Sequence, residues 1–549
     1  MFRQNDNHLQ QELHNSYTTL DPRIQKKLKN SWAPLFYEHV FCKIDEKPFA
    51  ILYSRDRGRF NYPVNILLSL EFIKHIFDYT DEVLLDQYYF NYQVMYALGE
   101  RNLGERYLGP RTFYEFRSRV YRYTIENPEQ EDLIFGQFEK LTDHFIKVTG
   151  INTKEQRVDS TQIMPNIKLA GRLSLAYDIL VQALRSCPED ILTENLKEVL
   201  KPDFKKELLY KCRSSQIPGR LVQIINLISE LLKLVKTRSE LTALAEIALL
   251  ERFLKEQADL DEEQNCWLPK ENKDISATSI QSAYDPDATF RNKGGKHSKG
   301  YVVNIVETCA EENPVQLITD YTVKPNSESD ARMLEERLPE IKEKTELIDM
   351  YADGGYYSEG VETQSHELKV NMHYTDMTGK KPEPEKIPLS DFQIDEHFNI
   401  LSCPENYPPL KSNFKQKTGI VNAHFNLEQC EQCPQKERCP VKFQKQNAIL
   451  RVNYKSILAA KARERTFQEP LRREATSKRA AVEGTNSALK RSQGADKLEV
   501  RTYPKVRVVI GLKMTGRNIR QIFRYFQGKI RKKAEKLYRA PSIGVVCTS

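Results

Sequence analysis

Two aspartates at the ends of strand-like segments constrain the fold of this chain more than any other feature. Asp159 lies in the β-prone segment 156–163, and Asp353 directly follows the segment 347–352. A long stretch with helical periodicity separates the two segments in sequence. In α/β folds, crossover connections can make such distant strands parallel neighbours. In such an arrangement the two carboxylates can face one another despite a separation of 194 positions in sequence.

The order of the other predicted strands and helices indicates the fold class. Extended segments rich in β-branched residues predict strands, and an amphipathic segment predicts a helix. In chain order they are strands at 301–308 and 315–323, a helix at 329–344 and a strand at 368–375. Together with the two aspartate-bearing segments, they follow the strand order of ribonuclease-H-like folds. We predict an α/β ribonuclease-H-like catalytic domain, with a mixed five-stranded sheet and helices, formed by residues 151–165 and 284–400.

Further regions surround this core, because a chain of 549 residues exceeds the size at which one hydrophobic core stops growing. They are a helical N-terminal region at 1–150, a helical insert at 166–283, a Cys-rich insert at 401–445, a helix with Glu483 at 446–500 and a basic C-terminal region at 501–549. The leucine-rich stripe of the helical insert is typical of a core. The insert is expected to cover the catalytic sheet or to aid assembly.

Positively charged side chains in two parts of the chain suit contact with nucleic acid. The segment 501–549 contains thirteen Lys and Arg against the single acid Glu535, which suits a polyphosphate partner, and a solvated surface is the alternative. The N-terminal region carries arginines that suit DNA binding, although a bundle that only packs or dimerises explains them equally well. These arginines are Arg111, Arg117, Arg119 and Arg122.

Composition and the N-terminal sequence argue against a membrane-spanning protein and a secreted protein. Apolar residues form 40% of the chain, and no apolar run approaches the ~20 residues needed to span a bilayer. The N-terminus lacks a signal-peptide pattern. Ten cysteines without a secretion signal indicate a reducing compartment, where clustered thiols bind metals more often than they form disulfides. We expect a cytoplasmic protein.

A third carboxylate, Glu483, lies in a basic stretch at helical spacing from Arg479 and Lys490. Magnesium prefers oxygen ligands, and two such ions can activate the attacking oxygen and stabilise the leaving oxygen of a phosphoryl transfer. We predict that Asp159, Asp353 and Glu483 are catalytic and hold two Mg²⁺ or Mn²⁺ ions. Arg479 and Lys490 are predicted to bind DNA phosphates by charge-assisted hydrogen bonds.

Several motifs of the chain resemble those of the bacterial insertion-sequence transposases with a DDE catalytic domain. They are the segment 58–63, Asp159-Ser160-Thr161, the segment 285–289 before Gly300-Tyr301, the segment 352–356 and the Arg479/Glu483/Lys490 spacing. Related transposases often carry a tyrosine three residues before the arginine, where this chain has Thr476.

The resemblance implies an enzyme that cleaves double-stranded DNA at the element's ends and joins the freed 3′-hydroxyls to target DNA. It also implies recognition of terminal inverted repeats by the N-terminal region, a homodimer or higher synaptic assembly, and a place at the bacterial nucleoid. Two alternatives stay open: a ribonuclease-H-fold nuclease or resolvase, and a non-catalytic DNA-binding regulator derived from a transposase.

Four cysteines lie close together in sequence: Cys403, Cys430, Cys433 and Cys439. Tetrahedral zinc accepts four thiolates, and a Cys-x2-Cys pair supplies two ligands from one turn. We predict one structural Zn²⁺ at these residues, with His424 as a reserve ligand and unliganded reduced thiols as the alternative. Asp285 and Asp287 are predicted to cap a turn before Tyr301, the alternative being an approach to the catalytic metals.

Overall fold

A computed structural model describes residues 1–10, 15–130, 132–263, 266–293, 295–375, 385–467 and 469–539. Its N-terminal part is helical: α1 Pro22–Lys29, α2 Trp32–His39, α3 Val64–Phe77, α4 Asp81–Phe90, α5 Tyr92–Ala97, α6 Pro110–Glu126 and α7 Leu133–Thr149. Helix α3 is buried almost all round, so it forms the centre of this bundle. No helix among the described residues is long and apolar enough to cross a membrane.

A mixed sheet with flanking helices follows. Its elements are β1 Glu155–Ile163, β4 Thr289–Lys293, β5 Lys296–Thr308, β6 Ile318–Pro325, α14 Asp330–Thr345, β7 Asp349–Ala352, α15 Glu359–Glu367 and β8 Asn371–Tyr374. The strand order is β4-β5-β1-β7-β8, with β6 also paired to β5. Strands β1 and β7 are parallel neighbours, as predicted, whereas β5 runs antiparallel to β1. This architecture is compatible with a ribonuclease-H-like fold.

The sheet has six strands rather than the predicted five. Strand β5 is long, and its first residues extend beyond the part that pairs with β6. Strand β4 pairs with these first residues of β5, and the two strands form a hairpin. Gly300 lies where β5 passes the end of β1, with a φ of 138°, and a Cβ there would lie 2.4 Å from the Ile163 carbonyl oxygen. Only glycine fits this position without a shift of the backbone.

The helical insert, which lies between β1 and β4 in sequence, forms its own hydrophobic core. It consists of α8 Arg172–Ser186, α9 Glu194–Val199, α10 Pro202–Lys205, α11 Ile217–Val235, α12 Ser239–Thr242, α13 Ala245–Gln257, β2 Ala258–Asp261 and β3 Cys266–Pro269. Leucine and isoleucine side chains of α8, α11 and α13 pack against one another. The leucine-rich stripe is therefore core, as expected.

The Cys-rich unit contains two small sheets. Its elements are β9 Gln393–Ile394, β10 Ile400–Ser402, β11 Lys411–Lys415, β12 Ile420–Phe425, α16 Leu427–Glu431, β13 Lys442–Phe443 and β14 Ala448–Asn453. Strand β14 lies in the middle of the larger sheet, so this unit continues past residue 445. Three helices then lead back to the core: α17 Tyr454–Phe467, α18 Glu469–Ala480 and α19 Val482–Ser492.

The basic C-terminal region forms one long helix, α20 Tyr503–Arg539, and residues 540–549 lie outside the described residues. Leu512, Ile519 and Ile522 pack into the N-terminal bundle, whereas Val506 and Ile510 pack against the catalytic sheet. This part of the helix is therefore core, although its composition is basic, because apolar residues recur at helical spacing between the charges.

Candidate active site

The sheet places Asp159 and Asp353 at equivalent positions of two parallel strands. Arg157 on β1 lies opposite Tyr351 on β7. Asp159 comes two residues after Arg157, and Asp353 comes two residues after Tyr351. The Asp353 carboxylate accepts a 2.8 Å hydrogen bond from the Gly355 backbone N–H, so the turn after β7 fixes its orientation. The predicted approach of the two aspartates is thus present in the structure.

Arg479 connects the two carboxylates. Its Nη2 lies 3.8 Å from Asp159 Oδ1 and 3.7 Å from Asp353 Oδ2. On the next helix, Asn486 Nδ2 donates a 3.0 Å hydrogen bond to Asp159 Oδ2. The other amide atom, Asn486 Oδ1, is buried and has no partner within the described part of the chain. The aspartates therefore converge on a cation, beside an unpaired amide oxygen.

Burial raises the pKa of Asp159 to about 6, the Arg479 guanidinium opposes this rise, and the charge of Asp353 adds to it. A buried carboxylate beside a second carboxylate is stabilised by positive charge. Two converging carboxylates are also the oxygen ligands that Mg²⁺ prefers. The chemistry of the residues around Asp159 therefore fits a divalent cation.

Glu483 lies in the first turn of α19 with an exposed side chain, and it makes no hydrogen bond or ion pair within the described residues. Among those residues, no three His, Cys, Asp or Glu side chains are arranged as a metal site. The helix breaks at Ala481, between Arg479 and Glu483. Lys490 lies in the last turn of α19, where its Nζ is 3.9 Å from Asp496 Oδ1. The structure brings together Asp159, Asp353 and Arg479, and it does not join Glu483 or Lys490 to them.

A buried ion pair fixes the helices that carry these residues. Arg157 on β1 lies directly opposite Glu307 on β5, with 2.6 Å between Arg157 Nη2 and Glu307 Oε1. Arg157 Nη1 donates to the Lys478 carbonyl oxygen at 2.8 Å, and Thr485 Oγ1 donates to Glu307 Oε2 at 2.8 Å. The pair thus binds α18 and α19 on either side of Glu483. The pair was not predicted from the sequence, although charged residues inside two predicted strands were a signal.

The four cysteines of the Cys-rich unit are half-buried and free of disulfides. Burial raises the pKa of Cys430 to about 11, and the nearby thiols of Cys439, Cys403 and Cys433 add to this rise. Cys403, Cys430 and Cys439 pack against the apolar core of the unit. A zinc ion would reverse this effect, because a coordinated thiol loses its proton. Four neighbouring thiols are the kind of donor that zinc accepts, but in the described part of the chain they are not arranged as a metal site.

Two protein families match the chain. A family described as transposase DDE domain matches residues 402–523, and one described as transposase domain (DUF772) matches residues 23–119. Both matches support an insertion-sequence transposase with a DDE domain. No curated protein and no solved structure matches this transposase.

The two matched segments contain only some of the candidate site residues. The first includes the four cysteines of the Cys-rich unit together with Arg479, Glu483 and Lys490, and the second extends from α1 into α6. Asp159 and Asp353 lie outside both segments. The assignment of Asp159 and Asp353 to the candidate active site therefore depends on the geometry of β1 and β7.

Other residues singled out in the sequence have structural contacts in the transposase. Asp285 is buried and accepts hydrogen bonds from the Tyr301 hydroxyl at 2.5 Å and from the Thr502 backbone N–H at 2.8 Å. It thus holds the start of α20 to β5. Arg117 forms ion pairs with Glu71 and Asp81 at 2.9 Å, so it stabilises the N-terminal bundle.

Replacing Arg157 by methionine is expected to destabilise the transposase by about 3–5 kcal/mol, because Glu307 is left as an unpaired buried charge. A denaturation curve measures the change. The Arg157→Met/Glu307→Met double variant should recover part of the loss. Arg111→Met removes an exposed i,i+4 partner of Glu115 and should cost no more than about 1 kcal/mol. Equal stability of Arg157→Met and the native chain would exclude this role.

Proposed function

We propose that this transposase cleaves DNA strands at the ends of its insertion sequence and joins the freed 3′-hydroxyls to target DNA by metal-dependent phosphoryl transfer. The observation that carries the proposal is the convergence of Asp159 and Asp353 on the Arg479 guanidinium, at equivalent positions of parallel strands. The mixed sheet that holds them supports a ribonuclease-H-like catalytic domain.

Asp159, Asp353 and Glu483 would hold two Mg²⁺ or Mn²⁺ ions. Such ions, when bound, lower the pKa of an attacking water or hydroxyl and neutralise charge on the leaving oxygen. The two aspartates are fixed by the sheet, and Glu483 is carried by a helix that the Arg157–Glu307 pair holds in place. Arg479 would bind a DNA phosphate by charge-assisted hydrogen bonds, and Lys490 would contribute a second cation from the same helical region.

The other partners follow from the same proposal. The N-terminal region would recognise terminal inverted repeats of double-stranded DNA, and two or more copies of the chain would hold the two element ends together. Exposed arginines such as Arg111 and Arg122 are available for this contact, whereas Arg117 is not. One structural Zn²⁺ would be held by Cys403, Cys430, Cys433 and Cys439. His424 lies on the opposite face of its sheet, beside Lys411, and is not a member of this set.

A strand-transfer assay tests the proposal. The purified chain is incubated with Mg²⁺, a labelled duplex carrying the DNA ends that flank its gene, and a circular target plasmid. We expect nicks at the element ends and then covalent joining of the labelled end to the plasmid, both abolished by EDTA. Cleavage without joined product would favour a nuclease or resolvase. Binding without either reaction would favour a non-catalytic regulator.

A further inference from the structure

The larger sheet of the Cys-rich unit has one buried and one open face. Side chains along a strand alternate between the two faces. Val421, Ala423 and Phe425 on β12, with Ala448 and Leu450 on β14, are buried in the core of the unit. The intervening positions therefore lie on the opposite face, which is open to solvent.

The open face carries a groove of polar and basic side chains, which we call the basic groove. Its residues are Lys411, Asn413, Lys415, Asn422, His424 and Arg451. The strand register places them in rows, since Lys411 lies opposite His424, and Asn413, Asn422 and Arg451 form one line across three strands. The folded sheet thus gathers side chains that are spread along forty residues of sequence.

The charge of the basic groove is uncompensated. Lys411, Lys415 and Arg451 are exposed, and none of them forms an ion pair within the described ranges. No carboxylate lines the groove. Like charges on one surface produce a positive potential that attracts anions.

The spacing of the three cations favours a polyanion over a single phosphate. At about 3.3 Å per residue, Lys411 and Lys415 are about 13 Å apart along β11. Arg451 is two strands away, or about 10 Å from the line between them. One phosphate would have to draw all three long side chains to a single point, whereas successive phosphates of a nucleic acid can meet each side chain near its own position. No Phe, Tyr or Trp ring lines the groove, so it lacks the stacking platform of single-strand binders.

The basic groove is firmly joined to the catalytic domain. Strand β14 continues directly into α17, and the Tyr454 backbone N–H at this junction donates to the Gly419 carbonyl oxygen at 2.9 Å. Lys455 on α17 forms a 3.2 Å ion pair with Glu359 on α15 beside the catalytic sheet. A nucleic acid held in the groove would therefore keep a defined position relative to that sheet.

We propose that the basic groove binds the phosphate backbone of duplex DNA without reading the base sequence. The proposal rests on the proposed function, because it assigns a further contact to the same DNA substrate. Phosphate contacts position a protein on the duplex, and each contributes to the salt dependence of binding.

The test compares duplex binding by the native chain and by the variant Lys411→Gln/Lys415→Gln/Arg451→Gln. Affinity for an unrelated duplex is measured by fluorescence anisotropy between about 50 and 200 mM salt. Loss of three phosphate contacts should reduce the slope of log K against log salt by about 2.7, and weaken binding at least about tenfold at low salt. Circular dichroism checks folding, which exposed side chains should not affect.

The control variant Lys201→Gln/Lys233→Gln/Lys236→Gln removes three exposed lysines from the helical insert and should keep the native slope. An unchanged slope in the groove variant, or an equal reduction in the control, overturns the proposal. So does a loss confined to single-stranded DNA. If the native chain still cleaves element ends, these outcomes reject the groove alone. A native chain that neither binds duplex DNA nor cleaves it rejects the groove and the proposed function together.

Discussion

Asp353→Asn is expected to lower Mg²⁺-dependent cleavage of element ends by at least about a thousandfold, while DNA binding is retained. Asparagine keeps the size of the side chain but loses the charge that binds a divalent ion. Metal stabilisation of phosphoryl transfer amounts to several kcal/mol, and each 1.4 kcal/mol corresponds to about a tenfold change in rate. Glu483→Gln should have a comparable effect if the helix brings this carboxylate to the same ions. The rate of nicking on labelled element ends measures both variants.

Asp287→Asn is the matched control for Asp353→Asn. Asp287 is an exposed acid in another segment that resembles transposases, and we expect its amide variant to keep nearly native activity. Anisotropy with the same DNA shows whether Asp353→Asn still binds. Full cleavage by Asp353→Asn would refute the assignment of this residue as a metal ligand. Loss of activity in Asp287→Asn would instead point to a metal site that includes the 285–289 segment.

Zinc is expected at about one ion per chain, and it should be absent from the Cys430→Ser/Cys433→Ser variant because two of four thiolates are removed. Zinc binding contributes on the order of 10 kcal/mol to small structural sites. The Cys-rich unit should therefore lose its protection from limited proteolysis in this variant. Elemental analysis and peptide mapping of the purified full-length chain measure the two effects.

Cys187→Ser/Cys212→Ser provides the control for the zinc experiment. These two cysteines belong to the helical insert, and both are free in the structure. Their replacement should leave the zinc content and the protease resistance of the Cys-rich unit unchanged. A native chain without zinc would contradict the site, and the raised pKa of Cys430 would then reflect a neutral cluster of thiols.

The strand order of the catalytic sheet was accessible from sequence because each strand has a local pattern of β-prone residues. That order predicted β1 and β7 as parallel neighbours, and the structure confirms it. The extra strand β4 was missed because it has only five residues and four of them are polar. These residues become a strand only by pairing with the free edge of β5.

The C-terminal region is basic and yet supplies part of the core. The charge count over 501–549 favoured a nucleic-acid or solvent surface, and the apolar positions of α20 also join the bundle to the sheet. Even Lys513 is buried there, and burial lowers its pKa to about 8. The helical spacing of the apolar residues was more informative than the charge count, because one face of a helix can be apolar while its other face is charged.

Sequence patterns were sufficient to predict the strands that carry the two aspartates and the helical context of Glu483, because strand and helix propensities act over a few residues. The prediction that the two strands are neighbours came from the strand order of ribonuclease-H-like folds. The tertiary structure alone showed that Arg479 lies between the aspartates and that Arg157 and Glu307 hold the helices beside it. These contacts join residues more than a hundred positions apart. They depend on how α18 and α19 pack on the sheet, and packing between distant elements has no local pattern in the sequence.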